Sequence, residues 1–188
     1  ATLQYIVKRH KELGLDIRLL PDYAAVQIND THPAIAIAEL MRILVDIELL
    51  PWEEAFNICS RVFSYTNHTV MSEALECWPE YLIQNLLPRI YMIIKELNRR
   101  FCANAQSRLN DLARVSDMAV IAYNQVRMAN LCMSVCHKVN GVSKLHTEIL
   151  KNRLFKDFNA LNPSQIVNVT NGITPRRWLL QANPELFG

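Results

Sequence analysis

Tyr23-Ala24-Ala25-Val26-Gln27-Ile28-Asn29-Asp30-Thr31-His32-Pro33 is the stretch that decides how the chain folds. The near-continuous apolar run Tyr23–Ile28 has the character of a parallel strand buried on both faces. It ends in a small polar knot, Asn29-Asp30-Thr31-His32. Pro33 then suits the first turn of a helix, where a missing backbone N–H costs nothing. The helix it opens is predicted to run to about Glu48, apolar nearly all round and therefore well buried. Strand, polar turn and helix together make the unit of an α/β sheet.

The same unit recurs along the chain. Val62–Tyr65 leads into Thr66-Asn67-His68-Thr69, Ala129–Val135 precedes Asn140-Gly141, and Ile166–Val169 precedes Asn171-Gly172. The intervals are too unequal for a solenoid repeat. The fold class predicted is α/β and helix-rich, with an open, mostly parallel, Rossmann-like sheet of about four strands. In such sheets ligands sit in the crevice beyond the carboxyl ends of the strands. Amide-bearing knots on that edge suit a ligand rich in hydroxyls, because Asn, His and Thr supply both donors and acceptors.

Between the knots the pattern is mainly helical. Residues 2–13 place Leu3, Ile6, Val7 and Leu13 on one face, and Gly14 follows as a C-terminal cap. Pro51-Trp52-Glu53-Glu54 opens a helix with acidic residues at its positive end. Pro79 begins a long helical stretch to about Phe101, which Pro88 should kink or divide. Residues 103–120 are mixed and read as helix or loop. Val126–Val135 is predicted as the third strand. Ser143 caps a helix carrying Leu145, Ile149, Leu150 and Leu154. Thr174-Pro175 starts a helix over Arg176–Ala182, whose two leading arginines call for a carboxylate or an anion.

Composition narrows the function. The chain has 188 residues, 51% hydrophobic and 20% charged, which describes one globular domain rather than a disordered segment. A net charge of +2 is too small for a nucleic-acid footprint. No apolar run reaches the roughly 18 residues of a membrane span. Ala1–Leu13 carries Lys8, Arg9, His10, Lys11 and Glu12 where a secretory leader would be apolar. The five cysteines are irregularly spaced and read as small buried hydrophobes in a reducing cytoplasm, not as disulfides or zinc ligands. In that setting the Asn-x-Thr triplets at Asn29, Asn67 and Asn168 are not glycosylation sites. The chain opens mid-helix and stops soon after another helical stretch, which reads as part of a longer protein.

Ionisable groups just after buried strands cost desolvation unless they are partnered, which singles out Asp30, His32 and His68. They admit a polyol-binding site, a non-catalytic carbohydrate-binding or assembly module, or a metal-dependent hydrolase with those three as ligands. The hydrolase lacks a spacing signature such as HExxH. Cys136 and His137 are strand neighbours in this reading and point to opposite faces, against a nucleophile pair. His137 and His146 read as structural, and His10 as a solvated helix residue. No glycine-rich phosphate loop is present in the sequence.

Taken in order, the knots resemble the α-glucan (glycogen/starch/maltodextrin) phosphorylases. The strings that carry the resemblance are Val26-Gln-Ile-Asn-Asp-Thr-His-Pro33, Tyr65-Thr-Asn-His-Thr69, Glu73-Ala-Leu-Glu76 with Trp78, Leu86-Leu-Pro-Arg89, Val139-Asn-Gly-Val142 and Thr170-Asn-Gly-Ile-Thr-Pro-Arg-Arg-Trp178. They spread over nearly the whole chain, and only about Ala103 to Gln125 matches poorly. The resemblance implies phosphorolysis of terminal α-1,4-glucosidic bonds by orthophosphate, giving glucose 1-phosphate with retention. It implies pyridoxal 5'-phosphate acting through its phosphate group, a homodimer, and a glycosyltransferase-B-like fold of two Rossmann-like domains. Residues 1–170 would be the end of the N-terminal domain and residues 171–188 the crossover into the C-terminal one.

Residue by residue, the resemblance implies that His68 binds the 6-hydroxyl of the reacting glucose and presents its backbone carbonyl to the anomeric carbon. It gives Asn171 the same hydroxyl, and puts Asn140 and Val142 close to that sugar. Asp30, His32, Thr69, Ala74 and Glu76 would line the pocket beside the anomeric position, and Trp178 would lie near the cofactor. The cofactor lysine and the phosphate-binding Arg and Lys have no counterpart in this sequence, so these residues alone are expected to be inactive. Departures are Ser72 where proline is usual, Cys77 where arginine is common, and Cys136 near a small-residue segment.

Overall fold

The computed structural model describes residues 2–187. Its strands, among those residues, are β1 (Val26–Asn29), β2 (Phe63–Thr66), β3 (Cys77–Pro79), β4 (Ile121–Ala122), β5 (Gln125–Arg127), β6 (Lys138–Gly141) and β7 (Ile166–Asn168). Four of them form a parallel sheet in the order β1-β2-β6-β7. The register pairs Ile28 with Tyr65, Thr66 with Asn140, and Gly141 with Asn168. All three pairings are parallel, so every strand runs the same way and all four carboxyl ends lie on one edge. This is the helix-rich, open parallel α/β sheet expected. β3, β5 and β4 make a separate antiparallel ribbon between β2 and β6 in sequence.

Parallel strands need long crossovers, and helices supply them. Helix 36–42 continues as a π-helical turn to Ile47, with Ile37, Ala38, Leu40, Met41, Ile43 and Leu44 all buried, as an apolar sequence on every side requires. Helix 52–62 follows and buries Ala55, Ile58, Cys59 and Val62. Pro88 divides the next stretch into helices 80–86 and 88–109, because a proline nitrogen cannot donate within a continuous helix. The second of these runs on past Phe101, and helix 112–118 starts where the Asp111 side chain accepts the Arg114 N–H. Ser143 caps helix 144–149 as predicted, accepting the His146 N–H. Gly14 closes the first helix at φ 72°, in the left-handed region where glycine is unstrained.

Several expectations are corrected. Val126–Val135 is not a strand of the parallel sheet. Val126 lies in β5, and Met128–Val135 is a helix buried on every residue but Ser134. It packs on β2 and on helices 36–42, 52–62 and 88–109, so a mostly apolar run serves a nearly enclosed helix here. The third parallel strand is β6, so Asn140-Gly141 is the strand end itself rather than a turn after it. His10 is buried, with Nε2 2.8 Å from the Asp16 carbonyl oxygen and its ring edge-on to Tyr23. Leu13 lies beyond the helix end and is exposed. Cys59, Cys132 and Cys136 are buried as expected, but Cys102 is only half-buried and Cys77, on β3 of the ribbon, is exposed. Thr174 takes the N-cap position of helix 175–182 without a side-chain hydrogen bond.

Candidate functional site

The carboxyl edge of the sheet is stitched together beyond its strands. The Asp30 N–H donates to the Thr66 carbonyl (2.9 Å), Asn67 to Asn140 (3.0 Å), Val169 to Gly141 (3.1 Å) and Asn171 to Val142 (3.0 Å). Each knot is thereby fixed backbone-to-backbone on its neighbour. Asp30 has φ 62°, a left-handed conformation that Asp tolerates by bonding locally, and its Oδ1 accepts the Thr31 N–H at 2.7 Å. Gly141 is required by close approach rather than by φ. A Cβ there would lie 2.5 Å from Thr147 Oγ1.

Polar side chains line this edge. Thr66 Oγ1 donates to Asn140 Oδ1 at 2.7 Å, and Gln27 Nε2 donates to Thr66 Oγ1 at 2.8 Å and to Asn140 Oδ1 at 3.4 Å. Three neighbouring strands thus contribute one continuous chain of hydrogen bonds. His68 stands exposed beside it, with Nε2 2.6 Å from Asn29 Oδ1. With Nε2 donating to that oxygen, Nδ1 is left as an acceptor. Thr69 is held through its N–H to Asn67 Oδ1 (3.0 Å), and Val142 through its N–H to His146 Nδ1 (3.1 Å). Beneath them, burial pushes the Tyr65 hydroxyl well above the usual phenol range, against the opposing hydrogen bond from Asn67, so it stays protonated.

His68, Asp30, Thr69, Asn140, Val142 and Asn171 therefore share one edge. His32 and Glu76 sit to its side. They share a cavity of about 210 Å³ with Thr31, Ile35, Trp78 and Met128, and Glu76 accepts from Thr31 Oγ1 and Trp78 Nε1, both at 2.9 Å. Ala74 lies in an exposed 3-10 turn, Ser72–Ala74. Trp178 is 53% exposed on helix 175–182, and its indole makes no hydrogen bond to the edge among the described residues. A cavity of about 340 Å³ lined by Trp52, Phe56, Arg100 and Phe101 involves none of the knot residues.

Asp30, His32 and His68 do not converge, and among the described residues no three His, Cys, Asp or Glu side chains are placed to hold a metal ion. That removes the basis for the metal-dependent reading. Gln27 and His146 belong to the edge but lie outside the knots read from the sequence, and Asn29 and Thr66, inside them, were given no individual role there. Gln27 and Asn29 did carry a signal, being polar at alternate positions of an apolar strand and so on one face.

Residues 1–188 match the family described as carbohydrate phosphorylase. The chain belongs to the carbohydrate phosphorylase family. It is 48% identical over 198 residues to the liver form of glycogen phosphorylase from Ovis aries. It is likewise 48% identical over 187 residues to glycogen phosphorylase from Bacillus subtilis, and 46% over 198 residues to the muscle form from Homo sapiens. Each match takes in 99% of this chain but only 23% or 24% of the relative, so the chain spans about a quarter of those phosphorylases. No described helix is long and apolar enough to cross a membrane.

Proposed function

We propose that this chain forms one wall of the active site of an α-glucan phosphorylase, which transfers a terminal α-1,4-linked glucosyl unit to orthophosphate with retained configuration. The observation that carries the reading is the hydrogen-bonded carboxyl edge, where His68, Asn140 and Asn171 lie together on neighbouring, mutually pinned loops. A sugar needs neutral donors and acceptors at fixed spacing, and an unmade buried partner costs about 1–3 kcal/mol. His68 takes the 6-hydroxyl through its free ring nitrogen and offers its carbonyl toward the anomeric carbon. Asn171 binds the same hydroxyl, and Asn140 and Val142 close around the ring. Asp30, His32, Thr69, Ala74 and Glu76 shape the space beside the anomeric position.

For pyridoxal 5'-phosphate, the residues present supply a partial fit. Trp178 offers an exposed indole face, and Arg176 and Arg177 share its helix's first turn with no acidic residue. Those groups suit an aromatic phosphate. Bound, the cofactor would supply a proton through its phosphate group, held by a lysine outside this chain. In this reading residues 1–170 end the N-terminal domain, residues 171–188 cross into the next, and the longer protein is a cytoplasmic homodimer.

The test is to express the longer protein that contains this chain and supply maltodextrin and orthophosphate. α-Glucose 1-phosphate should form and a pyridoxal absorbance should be present, while the 188-residue chain alone yields no product. A longer protein that binds no pyridoxal phosphate and makes no glucose 1-phosphate overturns the reading.

A further inference from the structure

A buried polar chain joins the loop of His68 to the loop of Val142. At one end the Thr69 N–H donates to Asn67 Oδ1 at 3.0 Å, and at the other the Val142 N–H donates to His146 Nδ1 at 3.1 Å. A backbone N–H can only donate, so Asn67 must present its oxygen and His146 an unprotonated Nδ1. The contact between them, His146 Nε2 to Asn67 Oδ1 at 3.1 Å, is then an N–H donating to oxygen. Asn67 Nδ2 donates in turn to the Tyr65 hydroxyl at 2.9 Å. Two backbone groups thus fix one amide orientation and one imidazole tautomer. Asn67 and Tyr65 are fully buried and His146 nearly so, and the His146 N–H is itself held by Ser143 Oγ.

We propose that His146 and Asn67 are positioning residues for glucosyl transfer, acting through the His68–Thr69 turn and Val142. The proposal rests on the reading of His68 given above. An apolar pair could fill the same volume, but it would orphan the Thr69 and Val142 N–H groups. Both belong to residues at the sugar edge, and beyond the Asn67 N–H to Asn140 bond no backbone hydrogen bond to β6 holds the His68–Thr69 turn. Displacements of about 1 Å at a reacting centre can cost about a hundredfold in rate.

The experiment uses the full-length protein. His146→Asn keeps an acceptor for Val142 but loses the donor to Asn67, and Tyr65→Phe releases the other arm of Asn67 with little change in volume. Each should lower kcat about 10- to 100-fold with glucan KM changed less than about threefold. Added to His68→Ala, His146→Asn should cost clearly less than it does alone, because the His68 imidazole, part of what it positions, is already gone. An equal loss in both backgrounds means a merely structural role and overturns the proposal, as does normal kcat in both single variants. Near-normal activity of His68→Ala rejects the functional reading itself and this proposal with it. Nitrogen-15 NMR of the His146 ring should show Nε2 protonated and Nδ1 bare, and the opposite tautomer also overturns the proposal.

Discussion

His68 and Asn171 come from different loops, and their proposed task is to meet the same hydroxyl. In the longer protein His68→Ala and Asn171→Ala should each cost about 2–4 kcal/mol in kcat/KM, since charge develops at the sugar while the pocket partners go unpaired. Steady-state kinetics with maltodextrin checks this, and near-normal values for both reject the assigned roles. Gly141 makes a separate prediction about stability. Its missing Cβ leaves room for Thr147, whose Cα and N would lie 3.0 Å from an added methyl. That neighbour includes helix backbone and cannot yield easily, so Gly141→Ala should destabilise the chain by about 1–3 kcal/mol in a denaturant titration. At this scale the sequence displayed the knot residues themselves. It hid their partners, because the bonds from Thr66 to Asn140 and from His68 to Asn29 join positions far apart in the chain.

Elements were legible where they carry their own punctuation. Pro51, Ser143 and Pro175 mark helix starts whatever surrounds them, and Pro88 separates two helices for a reason local to its ring, whereas Pro33 stands in a turn ahead of helix 36–42 rather than in its first turn. Met128–Val135 carries no such mark. Its apolar run satisfies a buried strand and a buried helix equally, and only the neighbouring β2 and helix 88–109 decide between them. Helix 88–109 also carries an acid-sensitive contact. Hydrogen bonds from Arg99 and Arg100 hold the Glu96 carboxyl at about 2, below its ordinary 4.5. Because the folded value is depressed, the stabilisation is complete above the unfolded value and is lost as pH falls from about 4.5 to about 2. The arginines reach into solvent, so the contribution is small. Glu96→Gln should lower Tm slightly at neutral pH, with the difference from the parent chain vanishing at the bottom of that window. A constant difference across it would show that Glu96 acts by packing alone.

Across the whole molecule the contrast lies between the body and residues 169–187. The sheet and its helices enclose Tyr65, Phe63, Phe155 and the other large buried side chains. Helix 175–182 packs chiefly on helix 184–187, and Ile173, Trp178, Leu180 and Leu186 stay exposed. In the proposed reading the rest of the longer protein covers these apolar groups. For the isolated chain, brief trypsin treatment should therefore cut first at Arg176 and Arg177 and leave residues 1–176 resistant, as mass spectrometry would read. Early cleavage within the body instead would show that the fold depends on its missing surroundings. The sequence by itself determined the α/β class, the helix starts at Pro51, Ser143 and Pro175, the polar knots and their family resemblance, because these depend on local periodicity, turn chemistry and residue identity. Only the tertiary structure decided that β6 rather than Met128–Val135 is the third strand, that His10 and His146 are buried partners, and that Asp30, His32 and His68 do not form a metal site. Those outcomes turn on which distant side chains share an edge, and hydrogen bonds and burial act on that distance in space, not on separation along the chain.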